Sequence, residues 1–198
     1  MLNKLIVATG NEGKLKEIRE ILNDTEVLGL HDLKLDIEIV EDGDSFTANA
    51  QKKAETIMQL LHLPVLADDS GLEVEALGGR PGVYSARFAG EQANDADNIQ
   101  KLLYELRDVP NEQRGARFVC VMCLVMPDGS IHTTRGEVNG TILREIRGAN
   151  GFGYDPVFYV KEYDKTFAEL SSDEKNAISH RGKALRRMKE VFDKVLES

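Results

Sequence analysis

The longest apolar run of the chain, Ala116 to Met126 with Arg117 its one polar member, leaves few folds open. An extended segment with apolar side chains at successive positions needs cover on both faces. It runs into Pro127-Asp128-Gly129-Ser130, a turn signal, and then into Ile131 to Val138, where Thr and Val favour β structure. The two runs predict a hairpin, so the sheet that holds them cannot be purely parallel. Shorter apolar runs at Leu5 to Ala8 and Val65 to Ala67 alternate with stretches of helical spacing. Strand and helix in alternation mean an α/β chain built on a mixed sheet.

The helical stretches are amphipathic. Leu15, Ile18, Ile21 and Leu22 recur on one side of a first helix, for which Asn11 is a plausible N-cap. A second helix is expected from about Phe46 to Leu61, capped by Asp44 or Ser45. Its apolar face is Phe46, Ala50, Ala54, Ile57, Leu60 and Leu61. A third runs from about Asp95 to Leu106 with Ile99, Leu102, Leu103 and Leu106 inward. Ser172-Asp173-Glu174 reads as a helix start, and Ser179 to Lys183 as an interruption before a last helix to about Leu196. Val27 to Leu30 and Val157 to Val160 read as further strands, while His31 to Val40 fits neither period. At 198 residues this is one domain, residues 1–198, or one domain with a lobe.

Charge and composition exclude several classes of partner. A net charge of -9 argues against non-specific binding to nucleic acid or to an anionic membrane. No apolar run approaches the ~20 residues of a membrane helix. The opening Leu2 to Ala8 is too short and too soon interrupted for a signal peptide. A cytoplasmic address is expected. Cys120 and Cys123 resemble a CxxC pair, but no second ligand pair follows, so both are read as buried thiols.

The chemistry concentrates at turns beside strands. Thr9-Gly10-Asn11-Glu12-Gly13-Lys14 follows the first strand and opens the first helix, an arrangement that aims backbone N–H groups at an anion. The P-loop spacing is absent. Asp68 and Asp69 follow Val65 to Ala67 and precede Ser70-Gly71, where a tight bend is expected before a half-buried strand over Gly71 to Leu77. Neighbouring residues on extended backbone face opposite ways, so one carboxylate is expected to face a ligand and the other to hold the turn. Glu41 with Asp68 or Asp69 can bind Mg²⁺, which takes one or two carboxylates and completes its shell with water and phosphate oxygens. Phe152, between Gly151 and Gly153, can be presented to a flat ring, and Lys175, His180 and Arg181 can donate to ring oxygens or phosphates. Phosphate, cation and ring together mean a nucleotide. Neither the dinucleotide G-x-G-x-x-G nor the G-x-S-x-G elbow occurs at the required place.

Five blocks occur in order. They are Thr9-Gly10-Asn11-x-Gly13-Lys14, Ala67-Asp68-Asp69-Ser70-Gly71-Leu72, Pro81 to Arg87, Gly151-Phe152-Gly153-Tyr154-Asp155-Pro156, and Ser179-His180-Arg181-Gly182. This set resembles the noncanonical purine nucleoside triphosphate pyrophosphatases, the inosine triphosphatase (XTP/dITP diphosphatase) family. The resemblance implies an ITPase-like fold, a long mixed sheet flanked by helices with two lobes and a cleft between them. It implies a homodimer that uses Mg²⁺ to hydrolyse ITP, dITP and XTP to the monophosphate and pyrophosphate. By the same resemblance Asp69 is the general base and a metal ligand, and Glu41 the second metal-site acid. Thr9 to Lys14 form the triphosphate loop, and Ser70 is a substrate contact. Phe152, Gly153, Tyr154 and Asp155 bind the base, and Lys175, His180 and Arg181 are further substrate contacts. Two alternatives remain open at this point: a Maf-like pyrophosphatase for pyrimidine or modified nucleotides, and a non-catalytic nucleotide-binding dimer.

Overall fold

A computed structural model of the chain describes residues 4–37 and 39–197. Its strands are β1 (Lys4–Val7), β2 (Glu26–Gly29), β3 (Val65–Val74), β4 (Gly115–Val125), β5 (Ile131–Ile142), β6 (Phe158–Val160) and β7 (Lys165–Thr166). Its helices are α1 (Glu12–Ile21), α2 (Phe46–Leu61), α3 (Asp95–Glu105), α4 (Ser172–Ile178) and α5 (His180–Glu197). Among the described residues the strands form one sheet in the order β2-β1-β3-β4-β5-β6-β7. β1 pairs in parallel with β2 and β3, whereas β5–β6 and β6–β7 are antiparallel. The sheet is mixed, as the hairpin sequence requires. The turn from β4 to β5 closes with Met126 N–H on the Ser130 carbonyl at 2.9 Å and Gly129 in the left-handed region at φ 87°.

The chain divides into two compact units. The first comprises Met1–Asp69, Cys120–Gly136 and Arg181–Ser198, and the second Ser70–Val119 and Glu137–His180. In the first, Leu15, Ile18 and Leu22 of the α1 segment and Leu185, Met188 and Phe192 of α5 bury against Leu5, Val7, Leu66 and Met122. Both helices place apolar residues three and four apart, so one stripe of each is removed from water. In the second, Ile99, Leu102 and Leu106 join Leu72, Val74, Phe118, Phe158 and Phe167. Phe118, Phe158 and Phe167 meet at centroid distances of 4.5 to 5.7 Å.

Three expectations change. β3 does not bend at Gly71: it runs unbroken through Asp68, Asp69, Ser70 and Gly71 to Val74, and Glu75–Leu77 is a short 3-10 helix. Neither aspartate closes a turn. Both carboxylates bond side chains from elsewhere through Oδ2, which competes with the local backbone bonding that makes Asp-Ser-Gly a turn. On α2, Leu60 is exposed, and the buried face takes Asn49 and Lys53 instead. At the last interruption only Ser179 is non-helical, since α4 ends at Ile178 and α5 begins at His180. The cap of α4 is Ser171, in a capping box with Glu174.

Arg114 braces the second unit. It is 2% exposed, and its guanidinium donates to the Ile142 carbonyl at 2.7 Å, to Leu106 at 2.5 Å and to Leu143 at 2.9 Å. The planar fork ties the end of α3 to the end of β5. Arg114→Met takes the guanidinium from three carbonyls, of which Leu106 keeps the Val109 N–H at 3.0 Å, and is expected to destabilise the protein by about 3 kcal/mol. Arg114→Lys recovers less than half of this, because one ammonium cannot reproduce the fork. Urea titration of the three proteins measures both values.

Candidate active site

The first unit gathers charge around β3. After β1, the Ala8 N–H bonds the Leu66 carbonyl at 2.8 Å, which sets the following loop beside β3. Thr9 Oγ1 accepts the Asn11 N–H at 3.2 Å, and Asn11 Oδ1 accepts the Lys14 N–H at 3.0 Å. Asn11 is therefore the N-cap, and Glu12, Gly13 and Lys14 form the first turn of α1 rather than a loop. Gly10 is exposed, with open space where a side chain would stand. N–H groups of a first turn have no partner within their own helix, and the helix dipole favours an anion there. The segment expected to bind phosphate is thus a capped helix N-terminus, with the Asn11 and Lys14 N–H groups taken by side chains.

Lys14 reaches back to β3. Its Nζ lies 3.1 Å from Asp68 Oδ2. The same oxygen is 3.4 Å from Nη2 of Arg181, and Nη1 of Arg181 makes a very short hydrogen bond to Glu17 Oε2. Asp68 is fully buried, Arg181 is 1% exposed, and Glu17 sits three residues after Lys14 on α1. The result is an alternating chain of charge, Lys14–Asp68–Arg181–Glu17, that joins α1, β3 and α5. Cys120 Sγ is 4.0 Å from Asp68 Oδ2. Burial and that negative charge push its thiol up to about 12, so it is no nucleophile near neutrality.

Asp69 points the other way and meets different partners. Asn49 Nδ2 donates to Asp69 Oδ2 at 3.1 Å, and Asn49 Oδ1 accepts the Gly43 N–H at 2.8 Å. One turn further along α2, Lys53 Nζ lies 2.6 Å from Glu41 Oε1. Burial opposes ionisation of both aspartates. At Asp68 it is outweighed by Lys14, Arg181 and Lys53 together, and the carboxyl is held well below the usual range. At Asp69 burial prevails: Lys53 and Lys14 pull down, Glu41 pushes up, and the carboxyl is raised to about 6. Asn49 and Lys53 are the residues that sequence reading missed. Their signal is polarity at two positions one turn apart on an otherwise apolar helix face.

A cation has candidate ligands here. Glu41 and Asp69 are close enough for Glu41 to raise the Asp69 carboxyl. Among the described residues no group of three or more His, Cys, Asp or Glu is placed to hold a metal. Two carboxylates fit Mg²⁺, which fills its remaining positions with water and phosphate oxygens, better than a closed cage.

The second unit collects aromatic and cationic groups. Gly151 and Gly153 adopt φ of 77° and 59°, which turns the chain tightly around Phe152. Asp155 Oδ2 accepts the Phe152 N–H at 3.0 Å and Lys175 Nζ at 2.5 Å. That ammonium stands 4.8 Å from the centroid of the Phe152 ring. Phe152 and Gly153 are part-exposed, whereas Asp155 and Lys175 are buried and position the segment. Tyr154 is 4% exposed, and its hydroxyl donates to the Ser85 carbonyl at 2.8 Å, so its side chain belongs to the core. His180 is buried with its ring stacked on Phe118, 4.7 Å between centroids and 11° between planes. Ser70 lies within β3, half-buried.

The Asp69 carboxyl has a consequence for stability. Its value of about 6 lies above that of an unfolded aspartate, so the folded chain holds a proton there that the unfolded chain releases. Stability is therefore lost as pH rises from about 4 through 6, and the cost is complete above that window. With chelator present, Asp69→Asn is expected to stabilise the protein by roughly 2–3 kcal/mol at pH 8, a gain that vanishes near pH 4. Denaturant unfolding across this range measures it, and a pH-independent difference would contradict it.

Comparison with known proteins identifies the family. The Ham1 family model matches residues 5–191. A dITP/XTP pyrophosphatase of Desulforamulus reducens is 50% identical over 194 residues, 97% of this chain and 96% of its own. Another of that name from Bacillus cereus is 51% identical over 193 residues, covering 96% and 94%. The structure of a HAM1 protein from Coxiella burnetii matches with a TM-score of 0.87 and 42% identity, covering 98% of this chain and 100% of that one. On a match of this identity and extent, the chain belongs to the Ham1 family.

Proposed function

We propose that the protein hydrolyses noncanonical purine nucleoside triphosphates, dITP, XTP and ITP, to the monophosphate and pyrophosphate. It thereby clears deaminated purines from the nucleotide pool. The observation that carries this reading is the pair of carboxylates Asp69 and Glu41, held by Asn49 and Lys53 one turn apart on α2, in the same unit as the Asn11-capped first turn of α1. Relatives named dITP/XTP pyrophosphatase, about half identical over nearly the whole chain, support the substrate class. The family model spans both units, which supports a single functional domain over residues 1–198.

Thr9 to Lys14 take the phosphates, by backbone N–H groups and the Lys14 ammonium. Glu41 and Asp69 hold the divalent cation, read as Mg²⁺. When bound, that ion offsets charge on the phosphate oxygens and makes a water more acidic. Asp69, aimed by Asn49, orients the water that attacks the α-phosphorus and accepts its proton. Arg181 and Glu17 act behind this set by fixing Asp68, which in turn holds Lys14. Ser70 is assigned a contact to the substrate. Phe152 stacks on the purine, with Gly153 and the backbone of Tyr154 beside it, and Asp155 and Lys175 hold its ring in place. His180 is assigned a donor role toward the 6-oxo group. A donor there meets the amino group of adenine unfavourably, and a mismatch of this kind can reach ~10⁴-fold.

No helix among the described residues is long and apolar enough to cross a membrane. A cytoplasmic address and a homodimer complete the reading, and sedimentation analysis tests the second.

The deciding experiment supplies ITP, XTP, GTP and ATP with and without Mg²⁺ and scores pyrophosphate against orthophosphate. Pyrophosphate from ITP and XTP alone, only with Mg²⁺, is expected, and orthophosphate as the direct product would mean attack at the γ-phosphorus. Asp69→Asn is expected to lower kcat at least ~10³-fold while staying folded. Phe152→Ala is expected to raise KM about tenfold with kcat within about threefold, since stacking contributes about 1–3 kcal/mol. Steady-state kinetics with a coupled pyrophosphate assay reads both.

A further inference from the structure

Helix α2 buries two polar side chains on a face that is otherwise apolar. Phe46, Ala50, Ala54 and Ile57 lie there, and so do Asn49, fully buried, and Lys53, 7% exposed. Residues four apart on a helix lie one above the other. Asn49 and Lys53 therefore form one column, and each member grips one of the two carboxylates assigned above to the cation. Asn49 holds Asp69 at 3.1 Å, and Lys53 holds Glu41 at 2.6 Å.

The two grips differ in kind. Asn49 is neutral and anchored in turn by the Gly43 N–H at 2.8 Å, so it aims Asp69 without changing the local charge. Lys53 is an ammonium in a place where a charge is costly unless compensated. Burial works against its charge, and Asp68, Glu41 and Asp69 together outweigh burial and keep it protonated. An amide could have anchored Glu41 as Asn49 anchors Asp69. A cation does what an amide cannot, which is to balance an acidic set.

We propose that Lys53 is a stand-in cation, an ammonium that competes with the divalent ion for Glu41 and is exchanged off that carboxylate when the ion binds. The proposal rests on the reading that Glu41 and Asp69 hold the ion. Asn49 keeps Asp69 aimed in both states, so loading moves one ammonium and leaves the rest of the acidic set in place. Lys53 thereby sets how tightly the protein binds the ion, without serving as a ligand to it.

The test titrates Mn²⁺ into chelator-stripped protein at low ionic strength and counts free Mn²⁺ by electron paramagnetic resonance. Lys53→Met removes the competing charge from within the site and is expected to tighten Mn²⁺ binding at least about tenfold. Lys53→Arg keeps the charge and is expected to stay within about threefold of wild type. Lys52→Met makes the same change of net charge at the neighbouring, more exposed lysine, which pairs with Asp42 at 2.6 Å. It is expected to alter affinity by no more than about twofold. Binding by Lys53→Met that is no tighter than wild type overturns the proposal, and so does equal tightening by Lys52→Met. Glu41→Gln and Asp69→Asn separate this from the underlying reading. If both leave Mn²⁺ binding untouched, the ion is not held there and that reading falls. If both weaken binding while Lys53→Met does not tighten it, only the exchange falls. A crystal structure of the Mn²⁺-loaded wild type needs no variant. Lys53 Nζ farther than about 4 Å from Glu41 supports the exchange, and a retained ion pair overturns it.

Discussion

A carboxylate fully removed from water has to be balanced on the spot, and the balancing of Asp68 organises the first unit. Its Oδ2 takes Lys14 and Arg181, and Arg181 takes Glu17. An isolated charge at this depth would cost many kcal/mol and would neutralise itself instead. The partners come from three elements, so Lys14 of the first helix, the strand and the last helix cannot shift independently. Removal of any one member strands another, since breaking a buried pair leaves an uncompensated charge. Lys14 is thus a structural countercharge as well as the ammonium proposed for the phosphates. Its place in space follows from Asp68 as much as from the cap at Asn11.

The next residue on the same strand has the opposite circumstance. Alternation on extended backbone turns Asp69 away from Arg181 and toward α2. There burial outweighs the pull of Lys53 and Lys14, Glu41 adds to it, and the hydrogen-bond partner is a neutral amide rather than a guanidinium. Two adjacent aspartates are therefore driven apart in acidity by the side of the strand on which each lies. One is held ionised, and the other is set near neutrality, where proton transfer to and from water is easiest.

Much of this was legible in the sequence, and the exceptions share a cause. Period and turn chemistry place the hairpin after Met126, the apolar face of α3 and the Asn11 cap, because each depends on residues a few positions apart. The glycine-bearing turn into the first helix and the placing of Phe152 between two glycines were legible for the same reason. The bend expected at Ser70-Gly71 fails because Asp68 and Asp69 bond to side chains far away in sequence, which no local rule anticipates. Lys53 and Glu17 were overlooked because charged residues on helices are ordinarily solvated. Burial is made tolerable by their partners, Asp68, Glu41 and Asp69 around Lys53 and Arg181 beside Glu17. Arg181 looks in sequence like a donor for a ligand, yet in the structure its guanidinium is engaged with Glu17 and Asp68.

The two aspartates also separate a charge the fold needs from one it does not. Asp68 answers two cations, and without its charge Lys14 and Arg181 would repel each other across a buried space. Asp69 accepts a hydrogen bond from Asn49, which an amide could accept equally well, and burial outweighs what Lys53 and Lys14 do for its charge, with Glu41 also opposed. On packing and electrostatics alone, asparagine at position 69 would serve the fold better. A residue that opposes stability where a neutral isostere would fit is expected at a functional site, where local energetic rules yield to chemistry. The negative charge at position 69 thus requires an explanation outside the fold, and a cation with an attacking water supplies one.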